Sequence, residues 1–177
     1  MEGYIKISTS ISLLFNTYPD YKLWITGHSL GGALSTMFAF RAAMDSGVRN
    51  KPVINVSFAS RFVGDHVFKE QFQKLEKTGM IRHLRITNED DVVPLIPFCT
   101  HVGMNLRLYN TTPWRRFTYK MSYPKVGRSM FDELGRAISN NIFLGLTYKV
   151  LDNHLCPEYR HRLDNAAEEG DLKQLYL

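Results

Sequence analysis

Apolar positions recur at helical spacing in the first stretch of the chain, where Ile7, Ile11, Leu14 and Phe15 predict a helix over 5–18 that closes before Pro19. The period then changes. Residues 22–26 have the length and composition of a buried strand, and 30–46 predict a second helix, stopped by Gly47. An apolar, β-branched run over 53–58 predicts another strand, 66–77 an amphipathic helix ended at Gly79, and 81–87 a third strand. Residues 104–109 read as one further strand, and 129–151 as a helical region with soft spots at Gly135 and Gly145. Helices alternating with short β-branched strands imply βαβ crossovers and an α/β fold with a mostly parallel sheet. In such sheets chemistry gathers beyond the carboxyl ends of the strands. That rule singles out Ser29, the run Asn88-Glu89-Asp90-Asp91 and the segment Asp152-Asn153-His154.

No repeat, low-complexity tract or linker breaks the pattern, so the 177 residues are expected to form one domain, with its core at 4–163 and a short tail at 164–177. The most apolar stretch, 92–99, is broken by Pro94 and Pro97 and is too short to span a bilayer. The first residues lack the basic-then-apolar pattern of a leader. Two cysteines, Cys99 and Cys156, are open to pairing or to remaining thiols, and with no leader they point towards a reducing, intracellular compartment.

Charge changes the picture in one place. The net charge is +5, yet no acidic residue falls between Asp91 and Asp132, where Arg107, Arg115, Arg116, Lys120, Lys125 and Arg128 alternate with Tyr109, Trp114, Phe117, Tyr119 and Tyr123. Such a stretch suits anionic lipid headgroups or nucleic acid, and equally suits a solvated face whose aromatics point inward. Charge bias alone says little about partners, so the solvated face is the preferred reading, and nucleic acid is not an expected partner.

The candidate chemistry centres on Gly27-His28-Ser29-Leu30-Gly31, a G-x-S-x-G turn between a strand and a helix rich in small residues. A serine hydroxyl is a poor nucleophile unless held exposed beside a base, and a tight strand-to-helix turn holds it so. Gly27 and Gly31 are expected where a side chain would strike neighbouring backbone, and Gly32-Ala33 where the helix nears the sheet. Ser29 would otherwise serve as a helix N-cap. A nucleophilic serine needs an imidazole, and the imidazole a carboxylate, in the chain order Ser, acid, His. Asp90 or Asp91 followed by His154 or His161 satisfy that order. His101 falls close after Asp91, and His28, His66 and His83 precede the acid. His28 is expected to orient the turn or to pack beneath it. The chemistry needs no cofactor, and no metal-ligand spacing is present.

These residues resemble the class 3 lipases, the α/β-hydrolase group that includes the filamentous-fungal triacylglycerol lipases. The resemblance runs through Tyr18-Pro19 and ITGHSLGGALS, then SFASRFVGDHVF over 57–68, RITNEDDVVPLIPF over 85–98, His101-Val102-Gly103, and LDNHLCPEY over 151–159. It implies an α/β-hydrolase-type fold and a lipid ester hydrolase acting through a triad and an acyl-enzyme. It places the nucleophile at Ser29, the acid at Asp91 with Asp90 on a variable position, and the base at His154, followed by Tyr159, with His161 as runner-up. It also gives the Leu30 amide to the oxyanion hole.

The resemblance further implies strands, a lid helix and an oxyanion loop upstream of the turn, whereas this sequence starts one helix before it. The domain is therefore expected to be truncated at its N-terminal side, with a sheet edge that a partner segment or a second copy would cover. Where the family usually has Gly-Ser-Pro-Arg, this chain has Ala59-Ser60-Arg61-Phe62, a change in a supporting loop. The expected partner is a lipid ester at a membrane or droplet surface. The competing expectation is a lipase-like module that binds lipid or protein without turnover, or the C-terminal piece of a longer lipase.

Overall fold

The computed structural model describes residues 2–95, 100–110, 118–123 and 152–168. Strands β1 (Trp24–His28), β2 (Val53–Phe58), β3 (Ile81–Asn88), β4 (Met104–Leu108) and β5 (Tyr119–Ser122) form one sheet in chain order. The first four are parallel, and β5 returns antiparallel along β4. Helices α1 (Glu2–Thr17), α2 (Leu30–Met44), α3 (His66–Lys77) and α4 (Cys156–Glu168) flank it. The α/β expectation therefore holds, and β2 and α3 have their expected boundaries.

Besides a single 3-10 turn at Val93–Leu95, two described elements lie outside the sequence expectations. β5 has four residues, too few for its alternation to stand out from the basic stretch around it. α4 falls where the sequence pattern assigns no element and where a tail is expected from residue 164. Its buried face, Tyr159, Arg162 and Ala166, does follow helical spacing, but an arginine at its centre hides the apolar stripe. The expected core edge at residue 163 thus falls inside a helix that runs on to Glu168 and buries Ala166. The expected helix over 129–151, Cys99 and most of the basic stretch lie outside the described residues. Cys156 is an exposed free thiol, and no described helix is long and apolar enough to cross a membrane.

Strand alternation sorts the interior into two cores. Val53 and Ile81 face Phe15, Ala39, Ala42 and Phe72 on the side of α1, α2 and α3. Leu84, Ile86, Leu106 and Leu108 face Tyr159 and Ala166 of α4. α1 buries less than its pattern suggests: Phe15 is in the core, but Ile7 and Leu14 are exposed. β1 lies at the edge of the described sheet, and Trp24 on it is exposed, as are Leu30, Leu34, Met37 and Met44 along α2.

The turn from β1 into α2 is closed by backbone contact. A Cβ at Gly27 would sit 2.1 Å from the Gly31 carbonyl oxygen, and one at Gly32 would sit 2.9 Å from Ser60 Cβ. Gly31 differs from expectation, because a Cβ there meets nothing within 4 Å. The steric demand of the turn rests on Gly27 and Gly32, and Gly31 contributes its carbonyl.

On the α3 side of β3, His83 packs 5.6 Å from the Phe72 ring and its Nε2 lies 3.0 Å from Ser57 Oγ. Burial, reinforced by the Arg85 charge, pushes its imidazole down to about 3. The unfolded chain, where histidine titrates near 6.5, therefore binds more protons between those two values. Stability is complete above about pH 6.5 and is lost as pH falls towards 3. Urea titrations across that window should give a falling midpoint, and a shallower fall in His83→Gln. In the same assay at neutral pH, Gly27→Ala should cost at least about 3 kcal/mol through overpacking. Gly31→Ala should stay within about 1 kcal/mol of the parent, on the stabilising side, since alanine suits a helix better than glycine.

Candidate active site

Ser29 leaves β1 with φ 57° and ψ −121°, a conformation that costs a non-glycine residue about 1–3 kcal/mol and persists only where its surroundings impose it. Three backbone hydrogen bonds impose it. The Ser29 amide donates to the Phe58 carbonyl at 3.0 Å, and the Ser29 carbonyl accepts from the amides of Gly32 at 3.1 Å and Ala33 at 3.3 Å. The hydroxyl makes no capping bond to α2. Ser29 Oγ lies instead 2.9 Å from His154 Nε2. His154 Nδ1 lies 2.9 Å from Asp91 Oδ2. A carboxylate accepts, so Nδ1 carries the proton and donates, leaving the Nε2 lone pair to accept from the serine hydroxyl.

Asp91 follows β3, with its side chain fully buried. An ionised carboxylate in that position needs its oxygens satisfied. Oδ2 accepts from His154 and, at 2.8 Å, from the Tyr159 hydroxyl, and Oδ1 accepts from the Val93 amide at 2.9 Å. Tyr159 in turn accepts from the Asn88 amide at 3.0 Å. Burial, and then the charge of Asp91, hold its phenol well above the usual tyrosine range, so it remains a donor.

The segment bearing His154 is tied down from both sides. The Asn88 side-chain amide donates to the Asn153 carbonyl at 2.9 Å, and His28 Nε2 donates to the His154 carbonyl at 2.7 Å. The two imidazole rings lie 4.7 Å apart. His28 thus steadies the segment across from the turn rather than the turn itself. Leu30 opens α2, where the first amides have no partner within the helix and face outward with the positive end of its dipole.

The runner-up residues lie elsewhere. Asp90 Oδ2 accepts from the Asn110 side chain at 2.8 Å and lies 3.5 Å from an Arg162 nitrogen. His161 is exposed on α4 beside Asn165. His101 Nε2 donates to the Pro94 carbonyl at 2.9 Å, and its ring stacks on Phe62. Tyr159 was legible only as a landmark after His154. Asn88 and Asn153 lie in the two segments the sequence singles out but carry no individual role there, and Arg162 is not singled out at all, although the 159, 162, 166 spacing on a helix would turn it towards the site.

The sequence pattern described as Lipase (class 3) matches residues 3–101, more than half the chain. Phospholipase A1-II 6 of Oryza sativa subsp. japonica is 38% identical over 105 residues, covering 52% of this chain and 25% of its own. Lipase ZK262.3 of Caenorhabditis elegans is 32% identical over 96 residues, covering 54% and 25%. Among solved structures, a triacylglycerol lipase whose catalytic centre is formed by a serine protease triad aligns with a TM-score of 0.58 at 25% identity, covering 82% of this chain and 51% of that one. The Rhizopus microsporus var. chinensis lipase shares the fold, with a TM-score of 0.54 at 21% identity over 71% of this chain and 46% of that one. The chain thus spans about half the length of these solved lipases and about a quarter of the curated relatives. With this match running from α1 past the strained serine to Asp91 after β3 and on to residue 101, the chain belongs to the class 3 lipase family.

Proposed function

We propose that the chain carries the catalytic centre of a serine hydrolase that cleaves lipid carboxylic esters. The observation that carries this reading is the unbroken relay from Ser29 Oγ through His154 to Asp91, with 2.9 Å at each step. Ser29 attacks the ester carbonyl and passes its proton to His154 Nε2, and Asp91 stabilises the imidazolium that forms. The Leu30 amide donates to the oxyanion that develops on the carbonyl oxygen. Collapse expels the alcohol, which takes the proton from His154 and leaves an acyl-serine. Water then attacks that ester by the same relay and releases the acid.

Family membership and the relatives named lipases and phospholipases A1 support an acylglycerol or related lipid ester as the substrate class. Leu30 and Leu34, exposed in the first turns of α2 beside Ser29, supply apolar surface next to the nucleophile and suit an acyl chain.

Intact mass after fluorophosphonate treatment should show a single adduct, absent in Ser29→Ala. A folded, monodisperse wild-type chain that takes up no adduct would overturn the reading and favour a lipid-binding role without turnover. Tyr159→Phe should label more slowly than wild type. It should also lose about 1–3 kcal/mol of stability in urea, because it strips a donor from buried Asp91 and an acceptor from the Asn88 amide.

A further inference from the structure

Arg162 is among the most deeply buried large side chains described, at 2% exposure, and it lies on the face of α4 turned towards the carboxyl end of β3. Burying a guanidinium is costly unless its charge and its donors are met. Nε donates to Glu158 Oε1 at 2.7 Å, one helical turn back. Nη2 donates to Asn153 Oδ1 at 2.9 Å and lies 3.5 Å from Asp90 Oδ2, while Nη1 makes no hydrogen bond among the described residues. Asn153 immediately precedes His154, and Asp90 immediately precedes Asp91. One rigid cation therefore contacts the residue before the base and the residue before the acid, although the two segments are more than sixty residues apart in sequence.

From this geometry we infer that Arg162 is a positioning residue, a clamp that sets the spacing between His154 and Asp91 without touching either or the substrate. The inference rests on the proposed triad. Planarity is central to it: the guanidinium holds its donors in a fixed fork, which one ammonium cannot reproduce. The clamp also gives Asp90 a role. Asp90 is not a spare acid but the anion that anchors the guanidinium on the β3 side, while Glu158 anchors it on α4. The remaining freedom of the His154 segment is removed by Asn88 and His28, which hold the carbonyls of Asn153 and His154. The imidazole thus hangs from a segment fixed at its backbone and, through Asn153, at the adjacent side chain.

The test measures the rate at which fluorophosphonate labels Ser29 in wild type, Asn153→Ala, Asn153→Asp and Arg162→Lys, with circular dichroism as the check on folding. The downfield proton resonance of the His154–Asp91 hydrogen bond is followed by NMR in each protein. Asn153→Ala leaves the buried ion pairs of Arg162 intact and removes the contact to the base segment. It should slow labelling about tenfold, the scale expected of a small displacement of a reacting group, and should weaken or broaden the downfield resonance. Asn153→Asp, which keeps an acceptor for the fork, should recover most of that loss. Arg162→Lys should behave like Asn153→Ala. If Arg162→Lys does not fold, the two Asn153 variants decide the question alone. A folded Asn153→Ala with the wild-type labelling rate and an unchanged resonance would overturn the clamp. No labelling of folded wild type would instead overturn the proposed triad, and the clamp with it.

Discussion

The fold depends on one point of contact, the place where Gly27 has no room for a side chain against the Gly31 carbonyl. There the chain turns from an extended strand into a helix within one residue, and that residue, Ser29, takes the strain. The turn is affordable because β1 is already registered on β2 from Trp24 to His28, so the Ser29 amide meets the Phe58 carbonyl as the next rung of the ladder. A parallel sheet and a strained serine are two ends of the same set of hydrogen bonds. Packing on the α2 side reinforces it: Gly32 abuts Ser60, and Ala39, Ala42 and Ala43 keep the helix close to the strands.

A second set of interactions, polar and buried, brings the other two side chains of the relay to that serine. The carboxyl end of β3 supplies Asn88, Asp90 and Asp91, and α4 returns Tyr159 and Arg162 to them. In a low-dielectric setting such a network is rigid where its members are satisfied, and here all of Asp91's bonds are made while Asn88 Oδ1 and Arg162 Nη1 make none among the described residues. Asp91 is the centre of that logic. Its three donors are an imidazole and a phenol from the C-terminal segment and a backbone amide two residues along its own loop.

Much of this was legible in the sequence for physical reasons. Val53 to Phe58 and His66 to Lys77 are long enough for their apolar periods to dominate. The glycine-serine pentapeptide and the order of Asp91 and His154 after it are local or ordinal features, open to reading along one chain. What stayed hidden was non-local. Nothing in the sequence ties Arg162 to Asn153 and Asp90, and a charged residue on the buried face of α4 contradicts the apolar stripe by which helices are recognised. Gly31 misled in the opposite direction: its place in the motif suggested a steric need, but the space beside it is open.

The separations along the chain carry a last consequence. Ser29 and His154 meet across 125 residues, and Asp91 and His154 across 63. Strands β1 to β3 with α2 and α3 can form from neighbouring βαβ units, whereas the relay closes only when α4 docks on the far face of the sheet. The helix that completes the site therefore makes its contacts at long range, whereas the turn that strains the serine is built from neighbouring elements. Because Tyr159 and Ala166 of α4 also close the core over Leu84, Ile86, Leu106 and Leu108, the relay and the second core are assembled by one docking step, and a site without its histidine is also a sheet with one face uncovered.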